Sequence, residues 1–300
     1  MAASSLLILG GSGFVGRHLC AGLIRAGYTL KVLTRNRERN RALLVLPGLE
    51  LVEADVHDPL ALAAQARGSN AVINLIGILN ERGHRGAGFR QAHVELARKI
   101  LAACRSTGVN RLVQVSALGA ASDGPSHYLR TKGEAEQLIR ASSLAWTILQ
   151  PSVIFGPDDS FLNRFAVLLR RLPVIPLAHA EARLAPVWVE DVCAAILATL
   201  ATPHSIGQTY QLCGPEVMTL GDTVAYVRDL IGLRRAVLAL PDALGRAQAQ
   251  VLEFVPGKPL SVDNFRSLSV PNVCQENGFA RLGIVPSSVR ALAPSYFTPR

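Results

Sequence analysis

Aromatic residues and lysines are scarce in this 300-residue chain, although its net charge is strongly positive. Aromatics make up 5% of the residues, and a formal charge of +9 rests on only four lysines, so arginine carries most of it. Such a balance favours anionic partners: phosphorylated cofactors, nucleic acid or an acidic membrane surface. Nucleic-acid binding usually combines a basic stripe with aromatic side chains. The scarcity of aromatics therefore argues against nucleic acid.

Cysteine is equally sparse. The five cysteines are odd in number, far apart and without a CxxC pair: Cys20, Cys104, Cys193, Cys213 and Cys274. This pattern predicts neither a disulfide framework nor a zinc site, and no pair of histidines has the spacing of metal ligands. We therefore expect small buried thiols in a reducing compartment, and no metal.

Long hydrophobic runs are also missing. The longest uncharged apolar stretches, such as Ala71–Leu79, are far shorter than the roughly 20 residues of a membrane-spanning helix. The first residues lead almost directly into a strand pattern, without the basic and apolar regions of a secretory leader. The sequence thus predicts a cytoplasmic protein that is either soluble or peripheral at the inner membrane.

The first half of the chain alternates short apolar strands with helical patterns. We predict strands at Leu6–Leu9, Leu30–Leu33, Leu49–Glu53, Ala71–Ile76, Leu112–Ser116 and Trp146–Gln150. The helices are predicted at Phe14–Ala26, Arg35–Leu46, Pro59–Arg67, Phe89–Thr107 and Tyr128–Ala141. Continuously apolar strands separated by helices indicate an α/β fold, a doubly wound parallel Rossmann sheet with helices on both faces.

The regularity weakens after the sixth strand. Further elements are predicted at Val192–Leu200, Thr209–Cys213 and Leu220–Ile231, among prolines and short apolar pieces. We therefore divide the chain into an NAD(P)-binding Rossmann domain over 1–155 and a smaller C-terminal, substrate-side lobe over 156–300. This lobe is also expected to return elements to the main sheet.

A glycine-rich run joins the first strand to the first helix. It comprises Gly10, Gly11, Ser12, Gly13, Phe14, Val15 and Gly16, and satisfies both GxxGxxG and GxGxxG. Glycines here permit a tight turn, a close approach of backbone to a pyrophosphate, and packing of helix on strand. The helix N-terminus supplies free N–H groups for the phosphates. The run predicts a dinucleotide site.

The second strand bears on the choice of dinucleotide. An acidic residue near its end would hold the ribose 2′-hydroxyl of NAD, but Arg35 stands there instead. A guanidinium suits a 2′-phosphate, so NADP(H) is preferred and NAD(H) stays possible. A solvated arginine-rich helix face is the alternative, and it accounts well for Arg39 and Arg41. Asp55, after the third strand, could contact the adenine edge or simply cap a turn.

Tyr128 and Lys132 lie four residues apart and hence on one helix face. A tyrosine titrates near 10 in water, so a nearby cation must favour its phenolate if it is to act near neutrality. Lys132 could do this and also hold ribose hydroxyls. Ser116 ends the fifth strand, where its hydroxyl could orient a substrate carbonyl or alcohol.

These residues resemble the short-chain dehydrogenase/reductase superfamily, in its extended or atypical branch. The resemblance implies that Tyr128 is the general acid/base, that Lys132 binds ribose and tunes the tyrosine, and that Ser116 aligns substrate. It further implies cofactor contacts along the chain at Asp55, Val56, Leu75, Ile76, Gly77 and Pro151.

Several segments are more closely similar to one subgroup, which contains the NADPH-binding accessory subunit of mitochondrial complex I and its bacterial relatives. They include 74–80, 115–119, 150–157 and 186–192. The acidic residue expected beside the serine in sugar-nucleotide dehydratases is absent from the pattern. The resemblance implies an NADP(H)-dependent oxidoreductase transferring hydride to or from a carbonyl or alcohol carbon. It equally allows a non-catalytic structural or assembly subunit associated with the respiratory chain.

A third reading is a peripheral enzyme of quinone or isoprenoid metabolism. The basic surplus and the apolar stretches Ala236–Leu240 and Val251–Val255 motivate it. The arginines Arg82, Arg85 and Arg90 surround a glycine-rich loop, Gly83–Gly88, near the expected substrate mouth. That loop is either a solvated mobile segment or an anion-binding lid.

Overall fold

The computed structural model describes residues 4–256 and 258–297, and its centre is a parallel sheet of seven strands in the order β11-β6-β5-β4-β1-β2-β3. Every neighbouring pair in this sheet is parallel. Its strands are β1 (Ser5–Leu9), β2 (Thr29–Thr34), β3 (Leu49–Glu53), β4 (Ala71–Asn74), β5 (Arg111–Val115), β6 (Ala145–Pro151) and β11 (Gln208–Leu212). The predicted doubly wound α/β class is confirmed.

Helices cover both faces of this sheet. In the first half they are α1 (Phe14–Arg25), α2 (Pro59–Ala66), α3 (Ala87–Arg90), α4 (Leu96–Thr107) and α5 (His127–Arg140). One apolar cluster joins α1 and α7 (Val189–Ala201) to one face of the strands, and a second joins α2, α4 and α5 to the other. Since both faces are buried, the strands carry continuous rather than alternating apolar runs.

Two predicted helices differ from the structure. The segment predicted as helix Arg35–Leu46 is a short 3-10 helix over Glu38–Val45, whose backbone leaves helical geometry at Asn40. The side-chain Nδ2 of Asn40 donates to Thr34 Oγ1 and to the carbonyl of Asn36, which closes a local turn. The long helix predicted over Phe89–Thr107 is interrupted by a π-helical turn at Gln91–Glu95, a feature frequent at functional sites.

The second half of the chain adds short strands in pairs. They are β7 (Ile154–Phe155) with β10 (Val187–Trp188), β8 (Val174–Leu177) with β13 (Ala236–Ala239), and β9 (Arg183–Leu184) with β12 (Met218–Thr219). The helices here are α6 (Leu162–Arg171), α7, α8 (Leu220–Leu230), α9 (Asp242–Leu252), α10 (Val262–Ser267), α11 (Val289–Leu292) and α12 (Pro294–Phe297). A separate apolar cluster holds most of them together.

The expectation that all five cysteines are free thiols is wrong. Cys213 and Cys274 form a disulfide, while Cys20, Cys104 and Cys193 are free and buried. The bond ties the residue after β11 to the segment over 271–279, which pairs in parallel with that strand through Gln211 and Asn277. Sequence spacing could not show this pairing because 61 residues separate the two cysteines. Within the described residues, no helix is long and apolar enough to cross a membrane.

Candidate functional site

The glycine loop lies at the carboxyl end of β1 and leads into α1. Gly10 adopts a φ of +83°, in the left-handed region that favours glycine. A Cβ at Gly16 would overlap the carbonyl of Gly10 and the backbone of Gly11, so only glycine allows the helix to approach the loop this closely. No side chain of the described residues caps α1 at Gly13. Its first amides, at Phe14 and Val15, are therefore available to an anion.

The turn after β4 borders the glycine loop. A Cβ at Gly10 would lie 3.1 Å from the amide nitrogen of Ile76, and a Cβ at Gly77 would lie 3.1 Å from Lys132 Nζ. Asn74 holds this turn, because its Oδ1 accepts from the Ile76 amide at 3.1 Å. The turn Leu75–Gly77 thus runs from the glycine loop to Lys132. This is the path along the strand ends that a dinucleotide takes in doubly wound sheets.

A basic cluster lies at the ends of β2 and β3. Arg35 is exposed and makes no hydrogen bond or salt bridge within the described part of the chain. Burial lowers the pKa of His57, and the positive charges of Lys99 and Arg35 lower it further. Lys99 Nζ donates to the His57 carbonyl at 2.8 Å, and Asp55 accepts from the His57 amide at 2.9 Å. Asp55 therefore closes a turn here, and Val56 lies within that turn.

Ser116 and Lys132 lie near each other where β5 ends, and Tyr128 is on the same helix as Lys132. Lys132 Nζ donates to the carbonyl of Val115 at 3.3 Å, which places it beside Ser116. Tyr128 lies one helical turn earlier on α5. The Ser116 hydroxyl is buried and has no hydrogen-bond partner among the described residues. Buried hydroxyls are nearly always paired, so this hydroxyl is available to a ligand atom.

Burial shifts the pKa of both titratable groups. It raises the pKa of Tyr128 to about 12, and it lowers the pKa of Lys132 to about 8 against the opposing pull of the Glu136 carboxylate. At neutral pH the tyrosine is therefore a protonated phenol and the lysine is mostly an ammonium. The pair is ready to donate a proton rather than to accept one.

His93 supports this site and was not predicted to belong to it. It lies in the π-helical turn, its ring is 5.7 Å from the Tyr128 ring, and its Nδ1 is 2.9 Å from Thr131 Oγ1. Because Thr131 already donates to the His127 carbonyl at 2.7 Å, His93 must donate from Nδ1. Burial and the charge of Lys132 lower its pKa to about 2, so it stays neutral.

Asp263, from α10, is a second supporting residue that the sequence did not indicate. Its carboxylate oxygens accept from the amides of His127 at 2.6 Å and Tyr128 at 3.0 Å, the first two residues of α5. Ser126 caps the same helix by accepting from the Leu129 amide at 3.1 Å. A negative charge at a helix N-terminus is favourable. The C-terminal half therefore holds the helix that carries Tyr128. The 135-residue separation hid this contact from sequence reasoning.

Pro151 and the residues shortly after it make structural bonds. The Pro151 carbonyl, at the end of β6, accepts from the Leu118 amide at 3.0 Å. Asn163 Nδ2 donates to the Pro157 carbonyl at 3.0 Å, and Asp158 faces Arg17 across 3.5 Å. Among the described residues, no group of three or more histidine, cysteine or acidic side chains could hold a metal ion.

A family model described as "NAD(P)H-binding" matches residues 10–164, more than half of the chain. This span runs from the glycine loop through β6 and includes Ser116, Tyr128 and Lys132.

The chain belongs to this NAD(P)H-binding family.

Curated relatives agree with this membership. The chain is 31% identical over 301 residues to subunit 9 of the NADH dehydrogenase [ubiquinone] 1 alpha subcomplex of Arabidopsis thaliana, covering 94% of this chain and 74% of that protein. It is 32% identical over 196 residues to a ceramide reductase of Caulobacter vibrioides, covering 65% of this chain and 61% of that protein. An NAD(P)H azoreductase of Xenophilus azovorans is 24% identical over 220 residues, with 73% and 71% coverage.

Solved structures of a sugar-nucleotide dehydratase and a sugar-nucleotide epimerase share this fold. A dTDP-glucose 4,6-dehydratase of Streptomyces venezuelae superimposes with a TM-score of 0.76 at 21% identity, covering 98% of this chain and 95% of that one. A UDP-glucuronic acid 4-epimerase of Bacillus cereus gives 0.76 at 17% identity, with 98% coverage of both chains. At these identities the likeness concerns the fold. The resemblance inferred from the sequence motifs is confirmed.

Proposed function

We propose that this protein is an NADP(H)-dependent oxidoreductase that reduces a carbonyl group, or oxidises the matching alcohol, at Ser116, Tyr128 and Lys132. One observation carries the proposal: a buried, unpaired Ser116 hydroxyl lies beside the Lys132 ammonium at the end of β5. A substrate oxygen would satisfy that hydroxyl. In a site with only a structural role, no ligand would satisfy this buried hydroxyl.

The loops at the strand ends fit a dinucleotide. The uncapped first turn of α1 would receive the pyrophosphate, the turn Leu75–Gly77 would run along the cofactor, and Lys132 would hold ribose hydroxyls. Arg35 would pair with a 2′-phosphate, because its exposed guanidinium has no salt bridge within the described residues. Asp55, Val56 and Pro151 would flank the two ends of the cofactor. The bound nicotinamide would supply or accept the hydride.

Side chains of the protein would supply the proton that the substrate oxygen takes up on reduction. Tyr128, protonated at neutral pH because its pKa is raised to about 12, would donate its hydroxyl proton to the substrate oxygen. The Lys132 ammonium would stabilise the phenolate left behind, and the Ser116 hydroxyl would donate a hydrogen bond that orients the carbonyl. A relative whose name is ceramide reductase supports the direction of reduction.

The cofactor preference is tested by exchanging Arg35 for alanine. Loss of a charged hydrogen bond to the phosphate should weaken NADPH binding by about 1.5–3 kcal/mol, which is roughly tenfold to a hundredfold, and leave NADH binding nearly unchanged. Arg39→Ala, also exposed and four residues further along the chain in the 3-10 helix, is the matched control. The measurement is a binding titration of NADPH and of NADH with the wild type, Arg35→Ala and Arg39→Ala. Equal losses for NADPH and NADH in Arg35→Ala would contradict the assignment.

A second function has a specific observation in its favour. The Arabidopsis relative, which matches 94% of this chain, is a subunit of an NADH dehydrogenase. In that case bound NADPH would stabilise the fold without being consumed, by about 4 kcal/mol at a thousandfold excess over Kd. Slow cofactor exchange together with copurification of respiratory-chain subunits would support this reading. Rapid exchange with steady turnover would exclude it.

A further inference from the structure

Helix α9 is poorly covered by the rest of the protein. Of its side chains only Gly245 and Ala249 are buried, against Ala178 and Phe265. Large apolar side chains around it face outwards, with exposed fractions of 57% for Leu244, 68% for Val251 and 78% for Phe254. Leu244 and Val251 are seven residues apart and so share a face of the helix. Contiguous exposed apolar surface of this kind marks a site of association.

The exposed helix joins the glycine-rich loop after β4. The Phe254 ring lies 5.2 Å from the His84 ring, and Glu253 Oε1 accepts a hydrogen bond from His84 Nδ1 at 2.8 Å. Lys258 Nζ donates to the Gly83 carbonyl at 2.8 Å. We call Leu244, Arg246, Val251, Phe254 and the loop residues 82–85 the rim surface. The loop is thus neither free in solvent nor an independent lid, because α9 and its C-terminal extension hold it.

The rim surface is basic as well as apolar. Its arginines, Arg82, Arg85 and Arg246, are exposed. Two nearby carboxylates point inwards: Glu81 accepts from the amides of Gly86 and Gly88, and Glu253 lies between His84 and Lys258.

An exposed carboxylate, Asp242, begins α9. The exposed charge of this surface is therefore net positive, with three arginines against one aspartate.

We propose that the rim surface docks on an anionic lipid bilayer, and that the substrate is an amphiphile whose carbonyl enters from it. The proposal rests on the oxidoreductase function above. Exposed apolar side chains on α9, together with the arginines of this helix and of the adjoining loop, match the boundary between acyl chains and anionic headgroups, where apolar area and charge both contribute to binding. The rim surface also adjoins α10, whose Asp263 holds the N-terminus of the helix bearing Tyr128. Docking would therefore occur next to the substrate side of the site.

Sedimentation with vesicles tests the docking. The full-length protein should bind vesicles containing phosphatidylglycerol and should not bind phosphatidylcholine vesicles at the same lipid concentration. Arg246→Gln should weaken that binding about fivefold, since one arginine contributes about that factor near an anionic surface. Val251→Glu should weaken it about tenfold or more, through loss of an inserted valine and gain of a charge. Val45→Glu, at a valine 80% exposed near the opposite sheet edge, should leave it unchanged.

The outcomes separate the docking from the catalytic proposal. Each variant is also assayed for NADPH affinity and for turnover of a short, water-soluble ketone without vesicles, both of which should match the wild type. If the wild type consumes NADPH but binds no anionic vesicle, the docking is wrong and the oxidoreductase function stands. If Val251→Glu instead abolishes a dimer seen by light scattering, the surface is a protein interface and the docking is likewise wrong. If Val45→Glu weakens vesicle binding as much as Val251→Glu, the rim surface has no special role.

Discussion

The two halves of the chain are stabilised by different kinds of contact. Up to Phe155, six of the seven strands of the main sheet and two apolar clusters fix the backbone, and the glycine loop and the Leu75–Gly77 turn belong to that frame. Beyond it, pairs of two- to four-residue strands, long-range side-chain bonds and a disulfide hold the elements together. The difference indicates that the cofactor side of the site depends on close backbone packing. The substrate side depends on individual side-chain contacts. Single substitutions of such side chains should therefore impair the substrate side while leaving cofactor binding intact.

The largest stability effect should come from the disulfide of the C-terminal half. Cys213→Ser opens a loop of 61 residues, and the loss of that constraint on the unfolded chain costs about 4 kcal/mol of unfolding free energy. Urea denaturation measures it. Cys274→Ser should give the same loss, and the double variant no more than either. A wild type whose denaturation is unaffected by added thiol reductant would contradict the bond's contribution.

A cofactor-side counterpart is Gly16→Ala. Its Cβ would overlap the backbone of Gly10 and Gly11, so the glycine loop must shift, at a cost of about 1–3 kcal/mol and with loss of measurable NADPH binding. Gly22→Ala lies on the same helix, and its Cβ would meet only Leu197 at an ordinary 3.6 Å. It should gain about 1 kcal/mol and bind NADPH normally. Thermal denaturation with and without NADPH compares them, and normal binding in Gly16→Ala would refute the close-packing argument.

Asp263 tests whether the C-terminal half positions the catalytic helix. Asp263→Asn removes the charge at the N-terminus of α5 and should cost about 1 kcal/mol of stability. It should also lower kcat for a ketone more than it lowers NADPH affinity. Asp242→Asn is the control: it removes a similar charge from the start of another helix, α9, and should change neither kcat nor NADPH affinity. An unaltered kcat in Asp263→Asn would limit its role to stability.

A further test is the pH dependence of stability that His93 should produce. Its pKa falls from an ordinary 6.5 to about 2 on folding, so below pH 6.5 the unfolded chain binds a proton that the folded chain excludes. Stability should therefore fall as pH drops from about 6.5, by up to about 1.4 kcal/mol per pH unit from this group. His93→Asn should have a shallower slope between pH 6.5 and 4.5 in urea denaturation. Parallel slopes would show that His93 does not contribute.

The sequence predicted the sheet well because the determinants are local. Apolar runs of five residues, separated by helical patterns and glycines, specify parallel strands, and each predicted strand agrees with an observed one within one or two residues, such as Leu49–Glu53. Exceptions arose where side chains override propensity. Asn40 turns the predicted Arg35–Leu46 helix into a 3-10 segment, and a π-helical turn places His93 against Thr131.

The site was only partly predictable for the same reason. Some of its residues could be predicted from their spacing within a strand–helix unit: the glycines from Gly10 to Gly16 after β1, and Ser116, Tyr128 and Lys132 after β5. Asp263, His93 and the Cys213–Cys274 bond act across long stretches of chain, and no local pattern encodes such pairings. The apolar residues at 251–255 were visible in the sequence as one motive for a peripheral enzyme. Their contact with the loop at His84 could be seen only in the folded structure.

The most direct test is the single-turnover oxidation of bound NADPH by a ketone, followed through the absorbance of the reduced nicotinamide, in the wild type and in Tyr128→Phe. With Tyr128 as the proton donor, the wild type should oxidise NADPH on adding an amphiphilic ketone. Tyr128→Phe should bind NADPH equally well but react about a hundredfold or more slowly. Equal rates in the two proteins, or a wild type that holds NADPH without oxidising it in the presence of any ketone tried, would contradict the proposed catalysis.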